Sequence, residues 1–191
     1  PTGWVDPLGL STCPGADGCK PDTTGTSATQ GVDHGEPALP PLTRAQRQAR
    51  VDELAEANAY RRLDELERTT PGAHFLEKHG AQTTLESQRA RIQTAKNPTT
   101  GIVETYSYGP NKGAPKYPPA ATHYLSHRDQ LNSIYRAQLI FRRNGHPASM
   151  RPIDMGKIIG EGYSDELIYS QQNKARVILN NNGKPKTAYT E

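Results

Sequence analysis

The chain has 191 residues, of which 17 are glycine, 16 are proline and only 33% are hydrophobic, so a packed core over its whole length is excluded. This size predicts one domain, or one domain with an appended segment. The formal net charge is +3, but residues 71–191 carry 16 basic and nine acidic side chains, a net charge of +7. That excess favours a polyanionic partner such as nucleic acid, or an acidic protein that neutralises it. No apolar run reaches the roughly 18 residues of a transmembrane helix, so we expect no membrane insertion.

The first ten residues contain a turn and a recognisable signature. Residues 6–9 read Asp-Pro-Leu-Gly, in which proline fixes φ at the second turn position and glycine accepts a positive φ. Together with Pro1 and Leu10 they resemble the PxxxxDPxGL signature that closes the core of Rhs-family polymorphic toxins. The resemblance implies that residues 1–10 end a large Rhs shell cut after Leu10, with toxin cargo downstream. Because the chain starts at Pro1 and not at methionine, we expect an excised C-terminal piece of a larger protein.

Residues 11–42 are rich in proline, glycine, threonine and aspartate, and we predict a flexible linker without regular structure. Cys13 and Cys19 lie in this stretch without histidine neighbours, so we interpret them as incidental and not as metal ligands.

The first regular element is predicted over residues 43–70. Thr43 supplies an N-cap, and no glycine or proline follows until Pro71. Good helix formers dominate, and acidic and basic side chains alternate at helical spacing, so most of the surface is solvated. Because the apolar stripe is thin, we interpret this segment as a linker helix that either docks on the following domain or acts as a spacer.

Residues 72–80 read Gly-Ala-His-Phe-Leu-Glu-Lys-His-Gly and contain two histidines five positions apart. Five residues of helix separate two side chains by roughly 140°, so His74 and His79 are expected at a loop-to-helix junction and not on one helix face. Imidazole titrates near neutral pH, which makes both histidines, beside Lys78, candidates for acid–base chemistry. The alternative is that one histidine caps or packs and the other is solvated.

A second helix is predicted to start at Thr84, with Ser87 completing its cap. Arg89 and Arg91 lie two positions apart, so only one of them can follow the face that points at His79. An arginine suits a phosphate because its planar fork donates two parallel hydrogen bonds. The alternative is that both are ordinary surface cations.

Residues 97–119 form a polar segment in which tyrosines and lysines interleave: Tyr106, Tyr108, Lys112, Lys116 and Tyr117. Such a segment can stack bases and contact phosphates. Our preferred interpretation is a loop or short hairpin that covers an edge of the core.

A short strand is predicted near residues 121–125, followed by a helix from about Arg128 to Arg143 that Ser126 can cap. The inward face of this helix is predicted from apolar spacing: Leu131, Ile134, Tyr135, Leu139 and Ile140. His123 and His127 are four apart, but the break between strand and helix separates them and no carboxylate completes a site, so we expect no metal.

The last 40 residues predict strands joined by glycine-rich turns. Residues 175–179 and 184–189 flank an Asn-Gly turn signal and are predicted to pair as a hairpin. Thr187 and Tyr189, two apart on the final strand, are then expected on the same face of the sheet.

In this order, the two histidines, the arginines, the Thr-His-Tyr-Leu-Ser segment and the final Thr-Ala-Tyr resemble the ribonuclease-A-like toxin domains of contact-dependent-inhibition proteins. The resemblance covers residues 71–191 and implies an α+β fold with N-terminal helices followed by a small, mostly antiparallel sheet. It implies catalytic residues at His79, His74, Arg89, Thr187 and Tyr189. We add substrate-binding candidates near these positions: Lys78, Arg91, Tyr124, Ser126 and Tyr163. The chain departs from the family pattern between the second histidine and Gly80, and at Thr190, where the family has proline.

The expected reaction is cleavage of RNA by its own 2′-hydroxyl, which needs a base, a cation and a hydrogen-bond donor but no cofactor. The expected partners are the RNA substrate, a cognate immunity protein and the parent Rhs shell. We expect secretion from the producing bacterium and action in the cytoplasm of the target cell.

Two other functions remain open from the sequence. An ADP-ribosyltransferase toxin would use NAD as its cofactor, with His74, Tyr124 or Ser126, and Glu161 in its site. A binding domain without catalysis would use only its basic surface.

Overall fold

The computed structural model describes residues 41–144 and 151–191. Within these residues it has four helices: α1 (Arg44–Arg68), α2 (Phe75–His79), α3 (Leu85–Thr94) and α4 (His127–Asn144). The strands are β1 (Ala120–Tyr124), β2 (Ile153–Asp154), β3 (Gly160–Ser164), β4 (Tyr169–Gln172), β5 (Lys174–Leu179) and β6 (Pro185–Thr190). The α+β class is therefore confirmed. The predictions for the junction over 1–10, for the linker up to residue 40 and for Cys13 and Cys19 lie outside the described residues.

The strands form two antiparallel three-stranded sheets, in the orders β1-β3-β4 and β2-β5-β6. The predicted terminal hairpin is confirmed as β5 and β6, with Val177 opposite Ala188. The two sheets contact each other where the hydroxyl of Thr122 donates to the carbonyl of Thr190 over 2.8 Å. A Cβ at Gly160 would lie 2.3 Å from the Thr190 hydroxyl, so only glycine permits this approach.

Helix α1 belongs to the same compact unit as the rest, which runs from Leu42 to Glu191. Its start is the predicted one, because Thr43 forms a capping box with Gln46. Leu63 is fully buried in the core, although the sequence shows only a thin apolar stripe. The helix predicted over 43–70 is thus an integral part of the domain predicted over 71–191.

Two glutamates of α1 cap other helices. Glu56 accepts hydrogen bonds from the backbone amides of His127 and Arg128 at the start of α4. Glu67 accepts from the amides of Leu76 and Glu77 at the start of α2. A carboxylate at a helix N-terminus satisfies free N–H groups and opposes the positive end of the helix dipole, so α1 helps to fix the positions of both helices.

The apolar face predicted for α4 is wrong at three positions. Tyr135, Leu139 and Ile140 are exposed by 43%, 47% and 37%, whereas Ile134 is buried. Much of the buried face is polar: Gln130 donates from Nε2 to the carbonyl of Phe75 over 2.8 Å, and Ser133 Oγ lies 2.9 Å from the hydroxyl of Tyr124. Ile134 and Ala137 lie on the same buried face, so apolar packing and these two nonlocal contacts fix the orientation of the helix together.

The segment 97–119 forms the loop or short hairpin that the sequence predicts, and most of its side chains are exposed. Tyr108 and Tyr117 are exposed by 84% and 55%. Two short stretches pair within the segment, and the amide of Lys116 donates to the carbonyl of Glu104 over 2.7 Å. Residues 101–117 of this segment form a projecting arm of irregular paired structure.

None of the helices in the described ranges is long and apolar enough to cross a membrane.

Candidate functional site

A cavity of about 610 Å³ opens where the two sheets meet, and we call it the cleft. Strands β1, β3, β4 and β6 contribute to its walls, together with residues at both ends of α2. Five residues predicted from the sequence line it: His74, His79, Tyr163, Thr187 and Tyr189. They come from three segments of the chain, of which the first ends 84 positions before Tyr163 and Tyr163 is 24 positions before Thr187, and the fold brings them together.

His79 is the last residue of α2 and its side chain is buried in the wall of the cleft. Its Nδ1 lies 2.9 Å from the backbone carbonyl oxygen of Thr122 on β1. A carbonyl only accepts, so Nδ1 carries the proton and Nε2 of the neutral ring keeps its lone pair. Burial, with the positive charge of Arg91 as the second cause, lowers the pKa of His79 to about 3. The ring is therefore neutral at physiological pH.

His74 lies at the N-cap position of α2 and also lines the cleft. Its Nδ1 is 3.1 Å from the carbonyl oxygen of Gly72, and its backbone amide donates to the carbonyl of Lys186 on β6 over 3.0 Å. Burial and the charge of Lys78 lower the pKa of the His74 ring. The cleft thus holds two histidines that both favour the neutral form.

Thr187 and Tyr189 point from β6 into the same cleft, as the two-residue spacing predicts. The hydroxyl of Thr187 is buried and has no hydrogen-bond partner within the described residues. The ring of Tyr189 has its centroid 5.6 Å from that of His79. Burial raises the pKa of Tyr189, so its phenol keeps the proton and can donate it in a hydrogen bond.

The two arginines of α3 have opposite environments. Arg89 is exposed and does not line the cleft, although the family resemblance implies a catalytic role for it. Arg91 does not line the cleft either, but it is buried, with 7% of its surface exposed. Its Nη2 lies 3.8 Å from Oε2 of Glu104, whereas its Nε and Nη1 have no hydrogen-bond partner in the part of the chain that the structure describes. Two helical positions differ by about 200°, so only one arginine can turn inward, and that one is Arg91.

Of the substrate-binding candidates, only Tyr163 lines the cleft, and Lys78, Tyr124 and Ser126 lie outside it with partners of their own. Lys78 binds Glu104, with 2.5 Å between Nζ and Oε1. Tyr124 is fully buried, and burial raises the pKa of its phenol, which pairs with Ser133. Ser126 donates to Glu56 over 3.1 Å at the start of α4.

The residues expected for NAD chemistry are not brought together. His74 lines the cleft, whereas Tyr124 is in the core. Glu161 instead accepts a hydrogen bond from the hydroxyl of Tyr169 over 2.9 Å and lies 3.5 Å from Nε2 of His123.

Sequence reasoning missed two residues that shape the cleft. Gln172 lies buried in its lining, and Thr122 supplies the carbonyl that orients His79. The strand that ends at Gln172 reads Tyr-Ser-Gln-Gln and has no alternation of apolar and polar residues that would place Gln172 on the inward face. The contact of Thr122 spans 43 positions and is made by the backbone, which carries no sequence signal.

Within residues 41–144 and 151–191, no group of three or more histidine, cysteine, aspartate or glutamate side chains is placed to hold a metal ion. Comparisons with protein-family models, with curated proteins and with solved structures found no match.

Proposed function

We propose that this domain is a ribonuclease that cleaves RNA by metal-independent attack of the 2′-hydroxyl on the adjacent phosphate. The observation that carries the proposal is the convergence of two neutral histidines and two hydroxyl side chains on one cleft: His74, His79, Thr187 and Tyr189. This set supplies the proton acceptor and the hydrogen-bond donors that the reaction needs.

In the proposed mechanism His79 acts as the base. Its Nδ1–H is held by the carbonyl of Thr122, which leaves Nε2 to take the 2′-proton. The 2′-oxygen then bonds to phosphorus and the bond from phosphorus to the 5′-oxygen breaks, giving a 2′,3′-cyclic phosphate and a 5′-hydroxyl. We assign the proton on the leaving oxygen to His74, whose pKa rises when the anionic phosphodiester binds beside it.

The hydroxyls of Thr187 and Tyr189 stabilise the negative charge that develops on the phosphorus oxygens. Thr187 has an unpartnered hydroxyl within the described residues, and Tyr189 keeps its phenolic proton. Donors fixed before the reaction cost no reorganisation when the charge appears.

Arg91 takes the role of the cation in this proposal. It lies outside the cleft lining and has a carboxylate of Glu104 3.8 Å from Nη2, but its Nε and Nη1 have no partner in the described chain, and its charge lowers the pKa of His79. Its positive charge favours an anionic phosphate near His74 and His79, as expected for a guanidinium.

The wider context of the proposal is an antibacterial effector released from an Rhs shell. Its support is the signature of residues 1–10 and the net charge of +7 on residues 71–191. We propose that the protein is secreted, acts on RNA in the cytoplasm of a target cell, and is neutralised in the producer by an acidic immunity protein that covers the cleft.

Incubation of the full chain with RNA, with and without NAD, tests the proposal. We expect fragments with 2′,3′-cyclic phosphate ends without NAD, and a loss of about 10²- to 10⁴-fold in His79→Ala. The circular dichroism of the variant should match that of the unsubstituted chain. Mass addition to RNA or protein only in the presence of NAD would replace the proposal with ADP-ribosyl transfer, and a folded, fully active His79→Ala would overturn the mechanism.

A further inference from the structure

The projecting arm, residues 101–117, is an unusually exposed part of the domain. Its two sides pair through three backbone hydrogen bonds: Lys116 N–H to Glu104 O, Tyr106 N–H to Ala114 O and Gly113 N–H to Tyr106 O. Every residue from 101 to 117 except Glu104 is exposed. The arm therefore offers nearly all its side chains to a partner.

The arm is fixed next to the cleft at both ends. Glu104 lies at its base and binds Lys78, which precedes His79 in the chain, and Asn97 also donates to it over 3.2 Å. The other end continues through Pro118 to Pro119, which lines the cleft. The C-terminal end of the arm is therefore two residues from the lining of the cleft.

The side chains of the arm combine aromatic rings with positive charge. Tyr106, Tyr108 and Tyr117 are exposed by 37%, 84% and 55%. The ammonium of Lys116 lies 5.9 Å from the centroid of the Tyr106 ring, and Lys112 follows on the same arm. Glu104 is the only carboxylate between residues 97 and 119, and it is already paired, so the exposed surface of the arm is positive.

We propose that the arm binds single-stranded RNA beside the scissile phosphate, with bases stacked on its tyrosines and phosphates near its lysines. Aromatic rings beside cations are the general means of binding single strands, because every base has a face that can stack. In a duplex the bases are paired and their faces are covered by stacking, so the tyrosines of the arm cannot stack on them. We therefore expect the arm to bind single strands more tightly than duplexes. The inference rests on the proposed ribonuclease function and names the form of its substrate.

Binding of a fluorescent 2′-O-methyl oligonucleotide to the full 191-residue chain tests the arm without any cleavage. We expect the dissociation constant to rise about tenfold for Tyr108→Ala and further when Tyr106→Ala is added. Tyr135→Ala, which removes an exposed tyrosine from α4, serves as the matched control and should leave binding unchanged. The same sequence as a duplex should bind more weakly and lose little in the arm variants.

The salt dependence of oligonucleotide binding tests the two lysines of the arm, Lys112 and Lys116. The slope of log K against log salt should become shallower by about 0.7 for each of Lys112→Gln and Lys116→Gln, because each removes one phosphate contact to a single strand. Cleavage of a dinucleotide, which leaves no flanking base for the arm, should keep its kcat/KM in all arm variants.

The outcomes separate the two proposals. If the tyrosine variants lose oligonucleotide binding but the unsubstituted chain does not cleave RNA, the proposal for the arm stands and the proposed ribonuclease reaction is wrong. The proposal for the arm would be overturned if the unsubstituted chain and the double tyrosine variant bound the oligonucleotide equally, or if the variants lost as much affinity for the duplex as for the single strand. It would also be overturned if the substitutions weakened the binding of an immunity protein but not that of the oligonucleotide.

Discussion

The imidazole Nδ1 of His79 donates its proton to the backbone carbonyl of Thr122 over 2.9 Å, which ties the end of α2 to the middle of β1. The strand thereby sets the tautomer of the histidine. Because the partner is a carbonyl and not a carboxylate, the hydrogen bond orients the ring without the negative charge that would hold it protonated.

We predict a measurable cost of this arrangement at acidic pH. The pKa of His79 is lowered from its ordinary 6.5 to about 3, mainly by burial and also by the positive charges of Arg91 and Lys78. Below the ordinary value the unfolded chain binds a proton that the folded state refuses, so stability falls as the pH drops toward the folded pKa. Between about pH 6.5 and pH 4 this group removes about 3 kcal/mol.

Urea unfolding of the unsubstituted chain and of His79→Gln at several pH values measures this effect. The difference between their free energies of unfolding isolates the histidine from carboxylates that titrate in the same range, such as Glu67. Parallel pH profiles for the two proteins would show that His79 is not held neutral by the fold.

A second prediction separates the two arginines of α3. Arg91→Gln should lower the rate of RNA cleavage by about 100-fold, because it removes the buried positive charge that we assign to the stabilisation of the phosphate. It should also raise the pKa of His79, which proton NMR of the imidazole can follow.

Arg89→Gln is the matched control, since it removes the same charge two positions away on the exposed face of the helix. We expect its cleavage rate and the His79 titration to remain unchanged. The reverse result, with Arg89 essential and Arg91 dispensable, would favour the role that the family resemblance implies.

A third prediction concerns stability. On its own, burial raises the pKa of Glu56, but hydrogen bonds from the amides of His127 and Arg128 outweigh it and lower the pKa. Glu56→Gln keeps the shape but removes the charge that faces the start of α4, so we expect a loss of about 2 kcal/mol in the free energy of unfolding.

Glu53→Gln on the exposed side of the same helix should change stability by less than about 0.5 kcal/mol. Equal losses in both variants would indicate that general charge, and not the cap on α4, sets the effect. Denaturant titration of the two proteins side by side decides between these outcomes.

The features predicted correctly from the sequence are those that depend on neighbours in the chain. Thr43 and Thr84 both form the capping boxes that their spacing indicates, and the Asn-Gly turn before β6 joins the expected hairpin. The shared face of Thr187 and Tyr189 follows from the period of a strand alone.

The errors arise where orientation is set by distant partners. Gln130 and Ser133 lie on the buried face of α4, where Gln130 Nε2 donates to the carbonyl of Phe75 and Ser133 pairs with Tyr124, and apolar spacing reveals neither contact. The choice between Arg89 and Arg91 depends on how α3 lies against the first sheet, and a two-residue spacing says only that one of them turns inward.

The amide of His74 donates to the carbonyl of Lys186. The side of the cleft that carries the two histidines is thus bonded directly to β6, which carries the two hydroxyl side chains. His74 and Lys186 are more than 100 positions apart, and β6 contributes both Thr187 and Tyr189. Contacts this distant in sequence form late, because a long loop must close first. A chain emerging from the ribosome therefore carries its histidines well before it carries a complete cleft, and we expect any activity of the cleft to appear only when β6 has paired.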